Sequence, residues 1–372
     1  MKNIGLFILL LVCNCNFSFK SDFDNIGDSI AFVLLEPTSS ESGSGFAIAD
    51  SGSTTCYDDS VSITCTGVSG SYPRQDGDYI DIPKARSFTG PTPHETYTSD
   101  YTTKDNVTGL VWKTCSEGQT GSDCTGTATT YTKDSAKTLC SNLNSSNGGN
   151  GYANTKSWRL PYLVELNTLV DYGKSSPTID QTNFPATKSF RYWSLTSLSG
   201  STSSSWTTDF NTGTSKNYSN YDYQNVRCVS NGLQTDNIQS FTDNGDYTIT
   251  DKATALVWQK CSMGQNSDDT CSGTATTTTW SNALLYCKDL SLAGKTWRLP
   301  NINELKSIMN YDKSEPGINQ TYFPATQPSL YWSSTTYLIT TTYAWNIDFQ
   351  YGEIDDYGLL KTSGIYVRCV SD

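Results

Sequence analysis

Residues 157–187 read SWRLPYLVELNTLVDYGKSSPTIDQTNFPAT, and residues 296–326 read TWRLPNINELKSIMNYDKSEPGINQTYFPAT. In both, a proline closes an extended Trp-Arg-Leu step and helical spacing follows it. After Pro300, Asn301 and Glu304 fit a capping box, in which the first side chain reaches forward to N3 and the Glu reaches back. Ile302, Leu305, Ile308 and Met309 then mark one buried face. In the first stretch Tyr162 replaces the asparagine, so that cap is weaker, while Glu165 remains. Trp158 and Trp297 are expected in the core. Arg159 and Arg298 beside them are expected to pair with backbone or with a carboxylate, because an arginine next to a buried ring must be satisfied.

Outward from this block the whole chain repeats, with a period near 140 residues. TGLVWKTCSEG (108–118) returns as TALVWQKCSMG (254–264), YWSLTS (192–197) as YWSSTT (331–336), and NVRCVS (225–230) as YVRCVS (366–371). The offset is 146 at Cys115/Cys261, 139 at Trp158/Trp297 and 141 at Cys228/Cys369. Changes of loop length between fixed blocks are how a duplicated domain diverges. The ends of the copies alternate in short segments such as SSWTTDFNTG and YAWNIDFQYG, which read as strands and hairpins.

The cysteines repeat as well: Cys115, Cys124, Cys140 and Cys228 in one copy, Cys261, Cys271, Cys287 and Cys369 in the other. The spacing predicts local bridges Cys115–Cys124 and Cys261–Cys271 across Gly/Ser/Thr turns. Cys140 falls on a helical face with Ala136, Leu139 and Leu143, and Ala283, Tyr286, Cys287 and Leu290 repeat that face. Their expected partners are Cys228 and Cys369 in the last strand; the first such bridge closes a loop of about 88 residues, worth roughly 4–5 kcal/mol in the chain-entropy model. Cys56 and Cys65 flank a hairpin, YDDSVSIT. Zinc calls for CxxC-like clusters or histidines, and the chain has no CxxC and one histidine, His94. No metal and no cofactor is expected.

The chain opens with Lys2 and an apolar run over residues 4–12, too short to span a bilayer and suited to a signal-peptide core. Val12-Cys13-Asn14-Cys15 follows. Cleavage before Cys15 would remove Cys13, leave Cys15 for lipidation and let the other ten cysteines pair. The expected partition is a signal peptide over 1–14, a tether over 15–52, a disulfide hairpin and lead-in over 53–96, and the two copies over 97–230 and 231–372. Residues 30–35 (IAFVLL) are an apolar exception in the tether, expected as a short docking strand. No other segment is apolar enough to cross a membrane. The 372-residue chain carries a formal net charge of −12 and only 17% charged residues. That balance excludes nucleic acid as a partner and argues against polyanionic glycans.

The ordered motifs TGLVW, a helix with cysteine, WRLPxxxEL, YWS, WxxDF and VRCV resemble the Lcl C-terminal domain family, found at the end of a bacterial collagen-like adhesin. The resemblance covers about residues 97–230 and 241–372. RLPxxxE followed by a late RCV is also similar to the formylglycine-generating family. The resemblance implies an α+β fold: two tandem C-type-lectin-like domains, each with two helices, small antiparallel sheets and long loops, stapled by disulfides. It implies attachment to host or matrix glycans or proteins from an outer-membrane, surface-exposed lipoprotein.

Tyr218, Tyr221 and Tyr223 stand in a polar loop of the first copy, with Tyr351 and Tyr357 in the matching part of the second; exposed aromatic rings suit sugar stacking or protein contact. Hairpin packing is the competing reading. Asp209 and Asp348 follow Trp206 and Trp345 by three residues, yet WTTD and WNID do not keep a calcium-binding pattern, and each Asp is expected to cap a turn. A Ser or Cys triad needs a histidine base in each copy, and for a two-carboxylate glycosidase the only matched glutamates are Glu165 and Glu304, which the capping box accounts for. The reading is therefore a binding module and no enzyme. A structural component of the cell envelope is the alternative, and a carboxylate-based glycan hydrolase a weaker one.

Overall fold

The computed structural model of the protein describes residues 46–233, 239–353 and 358–372. The expected signal peptide, the lipidation site Cys15 and residues 30–35 lie outside these.

Each copy is built on two antiparallel sheets. In the first, Val229–Ser230, Val111–Lys113, Tyr101–Asp105 and Phe88–Pro93 form a four-stranded sheet in that order. The second copy repeats it with Val370–Ser371, Val257–Gln259, Thr248–Asp251 and Phe241–Asp243. The three-stranded sheets run Arg191–Ser197, Ser204–Asp209, Thr214–Ser219 and Leu330–Thr336, Tyr343–Asp348, Leu359–Leu360. In both, the pairing slips at the same place, after Trp193↔Thr207 and after Trp332↔Asn346. The repeat in sequence is thus a repeat in register.

The helices follow the apolar spacing. Lys133–Asn142 buries Ala136 and Cys140, and Trp280–Asp289 buries Ala283, Leu284 and Cys287. All five disulfides form as the spacing predicts: Cys56–Cys65, Cys115–Cys124, Cys140–Cys228, Cys261–Cys271 and Cys287–Cys369. The long-range pair in each copy ties the helix to the residue preceding the last strand. The hairpin between Cys56 and Cys65 pairs Cys56–Tyr57 with Ser62–Ile63.

The WRLP block leads into short helices, Leu163–Asn167 and Ile302–Ser307. In the second, the capping box is complete: Glu304 N donates to Asn301 Oδ1 at 2.9 Å and Asn301 N to Glu304 Oε2 at 2.8 Å. In the first, Tyr162 N donates to Glu165 Oε2 at 2.8 Å. The far ends leave carbonyls without intrahelical donors. Arg86 supplies three of these bonds, to Thr168 O, Leu169 O and Val170 O at 2.9–3.2 Å. Gln239 supplies two, to Ile308 O at 2.9 Å and Met309 O at 3.0 Å. Arg86-Ser-Phe and Gln239-Ser-Phe are the same position of the repeat. Phe88 packs edge-on against Phe184 at 5.3 Å, and Phe241 against Phe323 at 5.2 Å.

Two expectations about the amino-terminal region are corrected by packing. Residues 46–52, read as the end of a tether, are folded in: Phe46, Ile48, Asp50 and Ser51 are buried, and Tyr172 N donates to Ser51 O at 2.8 Å. Phe46 and Ile48 join the main core, which outweighs the Ser/Gly composition around them. The lead-in over 53–96 also divides. Arg86 and the edge strand Phe88–Pro93 belong to the first copy, while residues between Asp58 and Ile82 bond the second. Arg74 donates to Trp297 O at 2.5 Å, Lys361 Nζ to Asp58 O at 2.6 Å and Asn303 Nδ2 to Asp50 O at 3.1 Å. Asp76, fully buried, accepts from Ser51 Oγ and from Thr335 Oγ1, both at 2.6 Å. The chain therefore straps the second copy before it starts building the first.

The copies share one core. Leu163, Leu166, Tyr172 and Trp206 of the first belong to the same buried cluster as Ile302, Leu305, Tyr311 and Trp345 of the second. Contacts across it are reciprocal. Tyr172 meets Trp345 edge-on at 5.1 Å, and its counterpart Tyr311 meets Trp206, the counterpart of Trp345, at 5.6 Å. This is the pattern of a two-fold interface, in which residue i touches j and j touches i, here within one chain.

Candidate functional site

The WRLP arginines and the helix-capping glutamates form one buried constellation per copy. Arg298 donates to both carboxylate oxygens of Glu304 at 2.6 Å. Arg159 does the same to Glu165 at 2.7 and 2.6 Å. Glu165 also accepts from Leu233 N at 2.7 Å. Each carboxylate is fully buried, bidentate to arginine and bonded to backbone N–H groups. Each pair anchors the start of its short helix to the WRLP step. The bidentate geometry is the strong form of this bond.

Arg227 and Arg368, beside the bridging cysteines, were not singled out in the sequence. Arg227 donates to Lys113 O, Thr114 O and Thr187 Oγ1; Arg368 donates to Gln259 O, Lys260 O and Thr326 Oγ1. Each lies under a phenylalanine ring, Phe184 at 5.0 Å or Phe323 at 4.9 Å. They clamp the loop after the first sheet to the Phe-Pro-Ala-Thr turn. The signal for them was an arginine recurring next to a cysteine that must be buried to form its bridge.

The sequence-predicted tyrosines are dispersed. Tyr218, on the strand Thr214–Ser219, is half-buried; Arg191 donates to its hydroxyl at 2.8 Å and stacks on its ring at 4.4 Å. Tyr221 and Tyr223 follow on a turn with 78% and 66% of their surface in water. Tyr351, half-exposed, lies on the second copy. Tyr357 lies outside the described residues. Asp209 and Asp348 cap their turns, accepting from Asn211 N and Gln350 N at 2.8 Å. Among the described residues, one group of metal-ligand types comes together, Cys56, Cys65 and Asp78. Its two sulfurs are spent in a disulfide.

Tyr351 stands at the rim of a groove of about 240 Å³ between the copies. Leu198, Ser199 and Trp206 come from the first copy; Tyr311, Lys313, Ser314 and Glu315 come from the second. Ser199 Oγ donates to Asp312 O at 3.0 Å, and Asn217 Nδ2 to Glu353 Oε1 at 3.0 Å, fixing the two walls. Sequence reasoning missed this groove because its halves come from different copies.

A second, smaller cavity of about 30 Å³ lies where Phe46 and Ile48 meet Lys306 and Tyr311. Lys306 stands where the first copy has Asn167. Its Nζ bonds the Tyr172 hydroxyl and lies 4.7 Å from that ring. Burial, and then the charge of Arg86, pull its ammonium down to about 7.

Residues 101–230 and 247–371 each match the Lcl C-terminal domain family. No curated protein matches the chain.

Proposed function

The chain belongs to the Lcl C-terminal domain family through both of its copies, and on that premise we propose that it is an exported binding module of the cell surface, anchored by lipid at Cys15, that holds host or matrix glycans or proteins. We read each copy as C-type-lectin-like. Two helices, two small antiparallel sheets and a disulfide from helix to last strand support that reading.

The observation that carries the binding role is the pair Tyr221 and Tyr223, left in water on a turn of a disulfide-stapled frame. Large rings exposed together on a rigid turn are what recognition surfaces use. The enzyme reading is set aside because Glu165 and Glu304, the matched glutamates of the two copies, are paired with arginine. Two copies in fixed relation would raise avidity for a repeating ligand.

The test is a screen of glycans and matrix proteins against the mature chain carrying Cys15→Ser, with and without calcium. Binding that Tyr221→Ala with Tyr223→Ala weakens about tenfold, roughly 1.4 kcal/mol, supports the reading. No binding to any ligand, with all five disulfides formed, overturns it.

A further inference from the structure

Among the described residues, the two-fold relation between the copies creates two equivalent grooves along their boundary, one roomy and the other nearly filled. Around Tyr311 and Trp206 the space is about 240 Å³. Around their counterparts Tyr172 and Trp345 it is about 10 Å³. The cause is local. Where the first copy has Leu198, Ser199 and Gly200, the second has Tyr337, Leu338 and Ile339. Tyr337 packs edge-on against Trp345 at 5.0 Å, and Leu338 and Ile339 line what space remains. The closed groove proves that this architecture tolerates bulky side chains there. The open one is therefore a property of its own residues, not of the fold.

We infer that the open groove is a binding site for a neutral sugar ring or short neutral oligosaccharide, seated between Tyr351 and the Trp206–Tyr311 floor. This rests on the reading of the chain as a binding module. The size suits a small ligand, below the roughly 300–1,000 Å³ of drug-sized pockets. Trp206 and Tyr311 are nearly buried in each other and offer an apolar floor. Tyr351, half in water, is the ring free to stack, its hydroxyl held by Gln350 Nε2 at 2.9 Å. The rim then alternates donors and acceptors: the Lys313 ammonium, the Glu315 carboxylate, the Ser199 hydroxyl. A pyranose has the matching chemistry, an apolar C–H face and a ring of hydroxyls that both donate and accept. One cation and one anion on the rim balance, so a neutral ligand fits better than a polyanion, in line with the chain's net charge of −12. Gly352, next to Tyr351, packs against the floor residues. It has φ +80°, and a Cβ there would stand 3.3 Å from Met309 and 3.5 Å from Trp206 and Tyr311.

The experiment uses the mature Cys15→Ser chain against an array of neutral oligosaccharides, with sulfated heparin fragments as a separate arm. Three variants are compared. Leu198→Tyr with Ser199→Leu copies the filled groove; Tyr351→Ala removes the exposed ring; Tyr221→Ala with Tyr223→Ala alters the other face. Circular dichroism and the thermal midpoint establish that each folds, and should the filling variant not fold, Tyr351→Ala decides alone. The expected result is neutral-saccharide binding lost at least about tenfold in both groove variants. Binding kept in the groove variants and lost in the Tyr221/Tyr223 variant overturns this inference and leaves the binding-module reading standing. Binding to heparin fragments alone overturns the neutral ligand. No binding by the unmutated chain overturns both.

Discussion

Arg298 and Glu304 show how much one position can decide. The arginine side chain is 3% exposed and its partner fully buried, against 21% for Arg159. Removing one member of a buried pair leaves an uncompensated charge and costs about 3–5 kcal/mol. Glu304→Gln with Asp372→Asn, which removes both carboxylates bonded to Arg298, is expected to approach that figure and Glu165→Gln to cost less, since water reaches Arg159. Urea titrations of the two variants measure the difference, and equal costs would contradict the burial argument. Four other groups set a pH profile. Burial raises Asp76 to about 7, with Asp50 adding to it, and raises Asp50 itself to about 6. Folded-state pKa values above the unfolded ones mean that the folded form holds protons the unfolded form has released, so stability falls as pH rises from about 4 to 7. Burial lowers Lys306 and Lys361 to about 7. There the unfolded form holds the extra proton, so stability rises from pH 7 to about 10.5. A minimum near neutrality is expected in thermal midpoints taken from pH 4.5 to 10. Asp76→Asn should flatten the acid limb and Lys306→Met the alkaline one.

At the scale of elements, the disulfides divide by loop length. Cys140–Cys228 and Cys287–Cys369 close 88 and 82 residues, whereas the other three close 9 or 10. In the chain-entropy model the long loops contribute about 4–5 kcal/mol each and the short ones about 2.5. Cys140→Ser with Cys228→Ser should therefore lower the urea midpoint more than Cys115→Ser with Cys124→Ser, and the reverse order would show that the local loops carry native contacts of greater weight. These elements were legible beforehand because their signals are local. Helical spacing places Ala136 and Cys140 on one face, a capping box starts the helix at Ile302, and two cysteines across a turn have one near partner. The extent of the first sheet was less legible. Phe88–Pro93 holds two prolines and two threonines, a composition that reads as connecting chain until Phe88 is seen against Phe184.

For the molecule as a whole, the shared core joins the copies into one folding unit. Trp206 and Trp345 each lie within their own sheet and against a ring of the other copy. Trp206→Ala is expected to cost about 3–5 kcal/mol and to lower the stability of both copies together. Scanning calorimetry should show one transition whose calorimetric and van't Hoff enthalpies agree. Two separated transitions, with only the first copy affected, would mean that the copies fold independently. The strap over residues 46–84 strengthens the same expectation, because Asp76 and Arg74 bond the second copy while the next strand enters the first.

What the sequence determined by itself was the duplication, the five bridges, the helices and the family, because each is written in spacings of a few residues or in two aligned copies. What only the tertiary structure decided was how the copies face each other, which one the lead-in covers and where an open groove remains. Those depend on side chains such as Trp206 and Tyr311, or Tyr172 and Trp345, far apart in sequence and meeting across a boundary. A period along the chain says that Tyr172 and Tyr311 are equivalent, but not that each lies against the tryptophan of the other's copy.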